Sequence, residues 1–449
     1  MLSQFILEHS TAHDDEVIVT PHTSVGWHQL RDQTLLMVAA GESLRKRRVG
    51  LCLGSSSQSY AVLAALDKLN CDSFLFDERL AMEEVIRLAS NLRLGAVVQP
   101  QKRNNGSALE IREIENEENG SGNSTVTILT SGTSGQPKAA SHSWESLGRP
   151  IRRGTNQSAP RWLMTYRPNL YAGLQVMLQC FADRGTLACP DSEMEPGSVV
   201  QFMTDSRVQY VSATPSFWRR LLMFANVEAL RNIPLVQVTL GGEVIDQPLL
   251  DRLKKIFPHA RLVHIYATTE LGRCFSVSDG LAGFPISYLR QPLADGVSLR
   301  VQNGELLVQS PNSMRNYDRY SSGQRSGGDW FHTGDVVEIH DDRAYFVGRK
   351  SDLINVAGSK VYPIEVERVI RVIPGIADVR VFGKTSSIAG EVVACEIVPA
   401  PNQDPEALKE VVIRNCRSEL SSHQQPRMIK LVTQLNLSSA GKTLRTKAL

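Results

Sequence analysis

The chain has 449 residues, of which 42% are hydrophobic and 21% are charged, so it predicts a globular protein of two or three domains with ample material for apolar cores. Its 49 basic and 47 acidic residues leave a formal net charge of +2, which argues against a dedicated DNA- or RNA-binding protein. Seven scattered cysteines without a C-x-x-C pair indicate neither a disulfide framework nor a zinc knuckle, and they fit a reducing compartment.

The first residues of the chain, MLSQFILEHSTAHDDE, contain a short apolar run with no basic segment before it. This pattern differs from that of a secretory signal. No window of the sequence approaches the ~18 apolar residues that a membrane-spanning helix needs. The sequence therefore favours a cytoplasmic protein that spans no membrane and binds no nucleic acid.

Short apolar runs alternate with helix-length amphipathic segments as far as Leu289. Val49–Leu53 precedes a predicted helix, and Leu235–Leu240 precedes another over Gln247–Ile256. Strands separated by helices at this spacing predict a mostly parallel sheet that is covered by helices on both faces. The basic cluster Arg45–Arg48 is expected to close a helix and to form a solvated face that complements the helix dipole.

β-rich stretches separated by turns follow between Leu289 and Val347, and Asn303-Gly304 is a hairpin signal between two of them. They predict an antiparallel sheet or a small barrel. From about Asp352 the pattern predicts a small α+β domain with two helices and two strands, which are Pro363–Val372, Pro405–Leu420, Val379–Phe382 and Glu391–Val398. Two polar, Gly- and Ser-rich segments are predicted to be surface loops, namely Glu110–Ser124 and Ser321–Asp329.

The strongest local signal is the segment TILTSGTSGQPK, which ends at Lys138 and follows a predicted strand over Thr125–Leu129. Its glycines permit close approach of the backbone, its hydroxyls stand beside exposed N–H groups, and its lysine supplies a positive charge. This set of donors is suited to a polyphosphate. A Walker A loop is excluded, because two residues separate Gly135 from the lysine and alanine follows it.

Further polar motifs follow along the chain, several of them directly after predicted strands. A carboxylate near phosphates is a ligand that Mg²⁺ prefers, and an aspartate in a turn can accept hydrogen bonds from a ribose. The motifs are Gly241-Gly242-Glu243, Tyr266-Ala267-Thr268-Thr269-Glu270, Thr333-Gly334-Asp335, Gly348-Arg349-Lys350-Ser351-Asp352 and Gly441-Lys442.

With these motifs in this order, the chain resembles the adenylate-forming acid–thiol ligases, which include acyl- and aryl-CoA synthetases, peptide-synthetase adenylation domains and luciferases. The resemblance runs from about Thr125 to the C-terminus and rests on ILTSGTSGQPKAASHS, YATTE, WFHTGD with GRKSDLINVAGSKVYPIEVE, and SSAGKTLR. It implies an α/β fold. Residues 1–349 would form a large N-terminal adenylation domain of two helix-covered sheets plus a β-subdomain, and residues 350–449 a small mobile α+β domain.

In this family a carboxylate attacks the α-phosphate of ATP, pyrophosphate leaves, and the acyl group then passes to a thiol. The resemblance implies that Lys442 bridges the acid and the α-phosphate, that Thr269 contacts the α-phosphate, and that Glu270 holds Mg²⁺. The residues it implies for binding of the nucleotide are Thr130, Ser131, Gly132, Thr133, Ser134, Gly135, Lys138, Gly242, Glu243, Tyr266, Asp335 and Arg349.

The resemblance also implies that the small domain rotates after adenylation, which would move Lys442 out and bring the loop at Gly358 in to form the tunnel for the thiol. The pivot corresponds to Ser351, where many family members carry Asp or Lys. The thiol is expected to be that of CoA. Two alternatives stay open, namely the phosphopantetheine of a carrier protein as the acceptor, and a catalytically silent relative that only binds a nucleotide.

The acid is expected to bind near Met164–Val176, with Tyr171, Gly173 and Gly241 in its pocket. Amino-acid activators place an aspartate in this segment for the α-ammonium group, and the segment has none. An aryl or fatty acid is therefore favoured over an amino acid, while Tyr171 is alternatively a core aromatic. The chemistry demands no general base, so His142 and His264 are expected to be structural or positioning residues.

Overall fold

The computed structural model describes residues 1–8, 15–103, 106–115, 118–130, 138–153, 159–318, 320, 330–386 and 390–436. The α-helices within these ranges are α1 (Leu2–Leu7), α2 (Trp27–Ala40), α3 (Ser57–Lys68), α4 (Met82–Asn91), α5 (Trp144–Gly148), α6 (Tyr171–Ala182), α7 (Pro196–Asp205), α8 (Pro215–Phe224), α9 (Val227–Arg231), α10 (Gln247–Ile256), α11 (Pro363–Arg371) and α12 (Pro405–Glu419).

The first fifteen β-strands are β1 (Glu16–Val19), β2 (Ser24–Gly26), β3 (Arg48–Leu53), β4 (Asp72–Asp77), β5 (Ala96–Arg103), β6 (Gly106–Glu113), β7 (Thr125–Thr130), β8 (Lys138–Ser143), β9 (Arg161–Leu163), β10 (Thr186–Ala188), β11 (Tyr210–Ala213), β12 (Gln237–Gly241), β13 (Arg261–Thr268), β14 (Gly272–Val277) and β15 (Phe284–Pro285). The later strands are β16 (Ser298–Gln302), β17 (Glu305–Gln309), β18 (Asn316–Tyr317), β19 (Phe331–His340), β20 (Arg343–Arg349), β21 (Ile354–Val356), β22 (Ser359–Val361), β23 (Ile376–Ser386), β24 (Gly390–Pro399) and β25 (Met428–Leu431).

Two large sheets form the body of the molecule. Sheet I has the order β18-β8-β7-β4-β3-β5-β6, and sheet II has the order β14-β13-β12-β11-β9-β10-β1-β2. Their inner strands are parallel, whereas β8, β18 and β6 of sheet I and β14 and β2 of sheet II pair antiparallel at the edges. The expected mostly parallel arrangement is therefore confirmed.

Helices cover both faces of these sheets. One core combines α1, α2, α3 and α6 with residues of both sheets, so this helical layer lies between sheets I and II. On the outer faces, α4 packs against sheet I and α7 to α10 pack against sheet II. Helices α8 and α10 each have a proline in the first turn, and the side chains of their N-cap residues, Thr214 and Asp246, accept a backbone N–H of that turn. The expected α/β fold class is confirmed.

The third sheet, sheet III, is antiparallel with the order β15-β20-β19-β17-β16. Asn303 and Gly304 form the two-residue turn between β16 and β17, and both have positive φ angles, as a type I′ turn requires. Sheet IV combines β22-β21-β24-β23 with β25 beside β24, and α11 and α12 pack on it. A single 3₁₀ turn, Lys350–Asp352, joins sheet III to sheet IV, and we propose 1–349 and 350–449 as the two domains.

Two local predictions were wrong. The segment Glu110–Ser124 was predicted to be a loop, but its first residues belong to β6. Strand β6 pairs with β5 along its whole length, up to Glu113. Arg48 does not belong to a solvated helix end. It is the first residue of β3, and its buried guanidinium donates to Asp318 at 2.9 Å. The predicted loop Ser321–Asp329 lies outside the described residues.

A cluster of charges lies where the C-terminal part meets the large sheets. Arg371 of α11 contacts Glu367 at 3.0 Å and Asp378 at 3.8 Å within its own part of the chain, and Asp246 at 4.0 Å across the boundary. On the other side Arg219 donates to Asp246 at 2.6 Å. These residues form an ion cluster that joins α10 and α11.

All seven cysteines are free and buried, as expected for a chain without a disulfide framework. None of the helices in the described ranges is both long and apolar enough to cross a lipid bilayer.

Candidate active site

The predicted phosphate loop connects two paired strands of sheet I. Thr130 ends β7 and Lys138 begins β8, and the two residues are direct partners in the antiparallel ladder. The two ends of the loop therefore lie side by side, at the same end of β7 and β8. The predicted phosphate-binding residues between them lie outside the described residues, as does the predicted catalytic residue Lys442; the loop residues are Ser131, Gly132, Thr133, Ser134 and Gly135.

Tyr317 brings the loop and the predicted metal ligand together. Its two-residue strand, β18, pairs with β8, which places the ring 5.7 Å from the Lys138 ammonium. Its hydroxyl donates to Oε1 of Glu270 at 3.0 Å. Burial, followed by the charge of Glu270, raises the pKa of Tyr317, so the hydroxyl keeps its proton and stays a donor. Lys138 and Glu270 thus face one tyrosine from two different sheets.

Thr269 is held in place from sheet I by His142. The buried ring donates from Nε2 to the Thr269 carbonyl at 2.7 Å, and a carbonyl only accepts, so Nε2 carries the proton. Burial lowers the pKa of His142, which keeps the ring neutral. The carbonyl of Glu270 similarly accepts from the Met314 N–H at 2.8 Å. The backbone of the turn after β13 is therefore held at the carbonyls of both Thr269 and Glu270.

Asp335 joins sheet III to the end of β13. Its Oδ2 accepts from the Tyr266 hydroxyl at 2.6 Å, and its Oδ1 accepts from Nε of Arg349 at 2.7 Å. Arg349 is the cross-strand partner of Asp335. A carboxylate has about four lone-pair positions, so each oxygen of Asp335 can accept a further hydroxyl group.

Glu305 supports the turn that carries Asp335. This buried carboxylate accepts from the Gly334 N–H at 2.9 Å, from Lys350 at 2.7 Å and from the His332 ring at 3.0 Å. Burial alone would raise its pKa, but Lys350, His332 and the Gly334 N–H together lower the pKa of Glu305 to about 2. The charged carboxylate is therefore part of the folded structure at neutral pH.

We expect this carboxylate to make stability depend on acidity. Because the pKa of Glu305 is about 2 in the folded chain against a model-peptide value of 4.5, the unfolded chain binds the proton first, and stability is lost as the pH falls below about 4.5. The gap in unfolding free energy between the wild type and Glu305→Gln should narrow by about 1 kcal/mol from pH 7 to pH 3.5. Urea denaturation followed by circular dichroism measures it. Glu338→Gln, an exposed carboxylate on β19, is the control, and a constant gap would contradict this role.

Two of the residues that the resemblance implies for binding of the nucleotide, Tyr266 and Glu243, have partners within the protein. The Tyr266 ring stacks on Phe275 and Phe346, with centroids 5.3 and 4.9 Å away, so Tyr266 presents its hydroxyl towards Asp335. The Glu243 carboxylate accepts from the backbone N–H and the hydroxyl of Ser216 at the start of α8, at 2.9 and 3.0 Å. Gly242 lies beside Glu243 and lines the cavity described next.

A cavity of about 1020 Å³ lies beside the turn that follows β13. Thr268, Thr269, Gly241 and Tyr171 line it, and the Tyr171 hydroxyl accepts the Arg273 N–H at 3.1 Å. Tyr171 is therefore both a packed aromatic and a wall residue. Gly173 is not among the described wall residues. A Cβ there would lie 2.1 Å from the Arg167 carbonyl oxygen, so this glycine is required by close packing of the backbone.

The predicted hinge and tunnel residues lie on the surface at the start of the C-terminal part. Ser351 belongs to the connecting 3₁₀ turn, and its hydroxyl donates to Asp352 at 2.9 Å. Gly358 forms the β21–β22 turn with Ala357, with φ angles of 89° and 48°. Its N–H donates to Asn355 at 2.9 Å, and no heavy atom lies within 4 Å of the position that a Cβ would occupy. The turn is narrow and uncovered.

The comparison with known proteins rests on both parts of the chain. The profile described as AMP-binding enzyme matches residues 34–318, which are more than half of the chain, and the profile described as AMP-binding enzyme C-terminal domain matches residues 365–442. The chain belongs to the AMP-binding enzyme family. The resemblance that its motifs indicated is confirmed.

Curated members of the AMP-binding family show how far the likeness extends. The long-chain-fatty-acid–CoA ligase FadD13 of Mycobacterium tuberculosis is 26% identical over 340 residues, which are 71% of this chain and 66% of FadD13. The chain thus spans just under two thirds of the length of FadD13. The 2-succinylbenzoate–CoA ligase of Listeria innocua is 25% identical over 343 residues, which are 72% of this chain and 69% of that ligase.

Solved structures of AMP-binding proteins share the fold. The anthranilate CoA ligase AuaEII in complex with anthranoyl-AMP aligns with a TM-score of 0.79 over 98% of this chain and 95% of that chain, at 16% identity. At this identity the likeness concerns the fold.

Proposed function

We propose that the protein is an AMP-forming acid–thiol ligase. It would join a carboxylic acid to the AMP moiety of ATP and then transfer the acyl group to the thiol of CoA. The observation that carries the proposal is the convergence of Lys138 and Glu270 on Tyr317, next to Thr269, which lines the cavity. A cation and a carboxylate face the polyphosphate position, while the cavity offers space for the acid.

The nucleotide would lie between this turn and Asp335. The two oxygens of Asp335 are oriented by Tyr266 and Arg349 and retain lone pairs for the two ribose hydroxyls. The hydroxyl of Thr269 would then contact the α-phosphate. The loop between Thr130 and Lys138 would enclose the β- and γ-phosphates with its backbone N–H groups and its hydroxyls.

The residues around Glu270 fit a magnesium ion that is bound mainly by phosphates. Oε1 of Glu270 is engaged by Tyr317, and Oε2 accepts no hydrogen bond from any residue in the described ranges. Mg²⁺ in nucleotide sites is held by one or two carboxylates together with phosphate oxygens and water. Glu270 would hold the ion, and the ion would supply positive charge to the β- and γ-phosphates.

The reaction then needs positioning and positive charge more than a base. An oxygen of the ionised acid attacks the α-phosphorus, a new P–O bond forms, and the bond to pyrophosphate breaks. Lys442 would neutralise charge on the acid and on the transferring phosphoryl group. In the second step the thiol sulfur attacks the acyl carbon, AMP leaves with its electron pair, and the thiol proton passes to solvent. His142, which is neutral and bonded to a carbonyl, takes no part in these proton transfers.

An acid library tests this function directly. With ATP and Mg²⁺, at least one aryl or fatty acid is expected to release pyrophosphate well above the acid-free background, whereas amino acids should not. Mass spectrometry of reactions with CoA, or instead with a carrier protein bearing phosphopantetheine, identifies the acceptor. An acyl-CoA product supports the proposal, acylation of the carrier alone assigns the alternative acceptor, and no pyrophosphate with any acid leaves only a nucleotide-binding relative.

A further inference from the structure

The segment that carries Tyr317 runs from the turn after β13 to the edge of sheet I. Near its start, the Asn312 side chain donates to the Arg273 carbonyl at 2.9 Å. The Met314 N–H donates to the Glu270 carbonyl at 2.8 Å. Tyr317 follows three residues later, and its hydroxyl donates to Oε1 of Glu270 at 3.0 Å. The start of the segment is therefore fixed against the strand pair β13–β14.

Strand β18, which holds Tyr317, is short and lies at the outer edge of sheet I. Its two residues pair with β8, and the next residue, Asp318, adds a hydrogen bond from its N–H to the Ala139 carbonyl at 2.7 Å. The Tyr317 side chain packs in a small cluster with Ala140 and Met314, separate from the large cores. So short a ladder and so small a cluster provide few contacts. The position of the Tyr317 ring therefore depends on what holds the chain beyond it.

A buried ion pair holds the end of this segment. Oδ2 of Asp318 accepts from Nη2 of Arg48 at 2.9 Å, and both side chains are 8% exposed. The same Nη2 donates to the Leu92 carbonyl at 2.8 Å, and Oδ1 of Asp318 accepts the Tyr320 N–H at 3.0 Å. Arg48 is the first residue of β3, an inner strand of sheet I. The pair therefore joins the edge segment to the interior of the sheet.

Aromatic rings lie against the Arg48 guanidinium. Its central carbon is 4.7 Å from the ring centroid of Phe74 and 5.7 Å from that of Tyr320. The Arg93 guanidinium contacts the same tyrosine ring at 5.0 Å. These contacts orient the planar guanidinium. A buried ion pair adds little net stability compared with apolar side chains of similar size, so we attribute to this one a role in setting the position of the segment.

Given the proposed function, we propose that Arg48 and Asp318 are a positioning pair for the polyphosphate site. By fixing the residue next to Tyr317, the pair holds the tyrosine hydroxyl on Oε1 of Glu270 and the ring 5.7 Å from the Lys138 ammonium. Oε2 of Glu270 then keeps one orientation for the magnesium ion that comes with ATP. Arg48 and Asp318 act through Tyr317 and do not themselves touch the nucleotide.

Nucleotide binding without turnover tests this role. Isothermal titration calorimetry of ATP, with no acid present, gives the Kd at zero and at saturating Mg²⁺. Asp318→Asn keeps the volume and one acceptor oxygen, but it removes the charge that faces Arg48. We expect it to raise the Kd of ATP with Mg²⁺ by about tenfold, a typical cost of losing a partner behind a metal ligand. The Kd without Mg²⁺ should stay within about twofold of the wild-type value, because the effect is exerted through Glu270.

Asp279→Asn is the matched control. Asp279 likewise accepts from a buried arginine, Arg343, at 2.7 Å, and from the N–H of the residue two positions later, Leu281, at 2.9 Å. It follows β14, and its arginine belongs to sheet III. We expect this variant to lose thermal stability to a similar extent and to bind ATP as the wild type does, with and without Mg²⁺.

A double-mutant cycle shows whether Asp318 acts through the tyrosine. Tyr317→Phe removes the hydroxyl that donates to Glu270 and should itself raise the Kd of ATP with Mg²⁺ by about tenfold or more. Adding Asp318→Asn to Tyr317→Phe should then raise the Kd by less than about twofold. A purely structural role of Asp318 would instead multiply the two losses.

The outcomes separate the positioning pair from the ligase function. If Asp318→Asn bound ATP with Mg²⁺ as tightly as Asp279→Asn, or if the two losses multiplied in the double variant, the positioning pair would be wrong and the ligase would stand. If Asp318→Asn does not fold, Arg48→Lys, which keeps the charge, decides through a smaller rise of the Kd in the same direction. If the expected Kd values were found but no acid released pyrophosphate, the pair would stand and the ligase would fail. A wild type that binds no ATP would overturn both.

Discussion

Replacing Lys442 by alanine is expected to reduce acid-dependent ATP–pyrophosphate exchange by about 10²- to 10³-fold, the usual cost of removing one charge-stabilising donor from a transition state. The reason is electrostatic. Negative charge develops on the transferring phosphoryl group, and of the proposed catalytic residues Lys442 is the one assigned to both the acid and the α-phosphate. Its loss should appear in kcat, since the phosphate loop and Asp335 still bind ATP.

The tail of the chain offers a matched control for this variant. Lys447 lies five residues further on in the same basic segment, and Lys447→Ala should retain wild-type exchange. A second measurement adds specificity: Lys442→Ala supplied with a pre-formed acyl-adenylate and CoA should still form the thioester, because the thiol step does not use this lysine. Wild-type exchange in Lys442→Ala, or an equal loss in both half-reactions, would contradict the assignment.

Replacing Asp335 by alanine is expected to raise the KM for ATP by about 10- to 100-fold, which corresponds to the loss of one or two hydrogen bonds to a charged group. The substitution removes the acceptor for the ribose and also leaves the Tyr266 hydroxyl and the Arg349 guanidinium without their shared partner. Initial rates of pyrophosphate release at varied ATP concentrations measure the effect.

Asp342→Ala provides the comparison for this second variant. Asp342 lies at the exposed turn of the same β19–β20 hairpin, so its loss perturbs the hairpin without touching the proposed ribose site. If Asp335→Ala unfolded the hairpin rather than weakening nucleotide binding, its melting temperature would fall well below that of Asp342→Ala. An unaltered KM for ATP in a folded Asp335→Ala protein would remove Asp335 from the nucleotide site.

Local patterns were enough to predict most of the elements. The alternation of strands and helices predicted the parallel sheets, and Asn303-Gly304 predicted its hairpin because a type I′ turn demands positive φ angles at both residues. The motifs predicted the family. The cluster at Arg45–Arg48 was misread because nothing local reveals that Arg48 pairs with Asp318, which is 270 residues away in the chain.

The site residues that were not predicted were missed for the same reason, because their roles depend on contacts with distant parts of the chain. Tyr317 joins Lys138 to Glu270, yet its strand has two residues and forms only because β8 supplies a partner. Glu305 reads as an ordinary strand residue, and its role depends on three donors from two other segments. The signal available in the sequence was an acidic residue at the start of a strand, directly after a hairpin turn, and this signal is weak.

The ion cluster at the boundary between α10 and α11 has a consequence for motion. Asp246 has Arg219 on its own side, and Arg371 has Glu367 and Asp378 on the other, so the long 4.0 Å contact between them can open while every charge keeps a neighbour of opposite sign. Separating a buried pair is costly mainly when one ion is left alone. The contact between Arg371 and Asp246 can therefore break and re-form at little cost in free energy. A C-terminal domain that rotates during each turnover would require this.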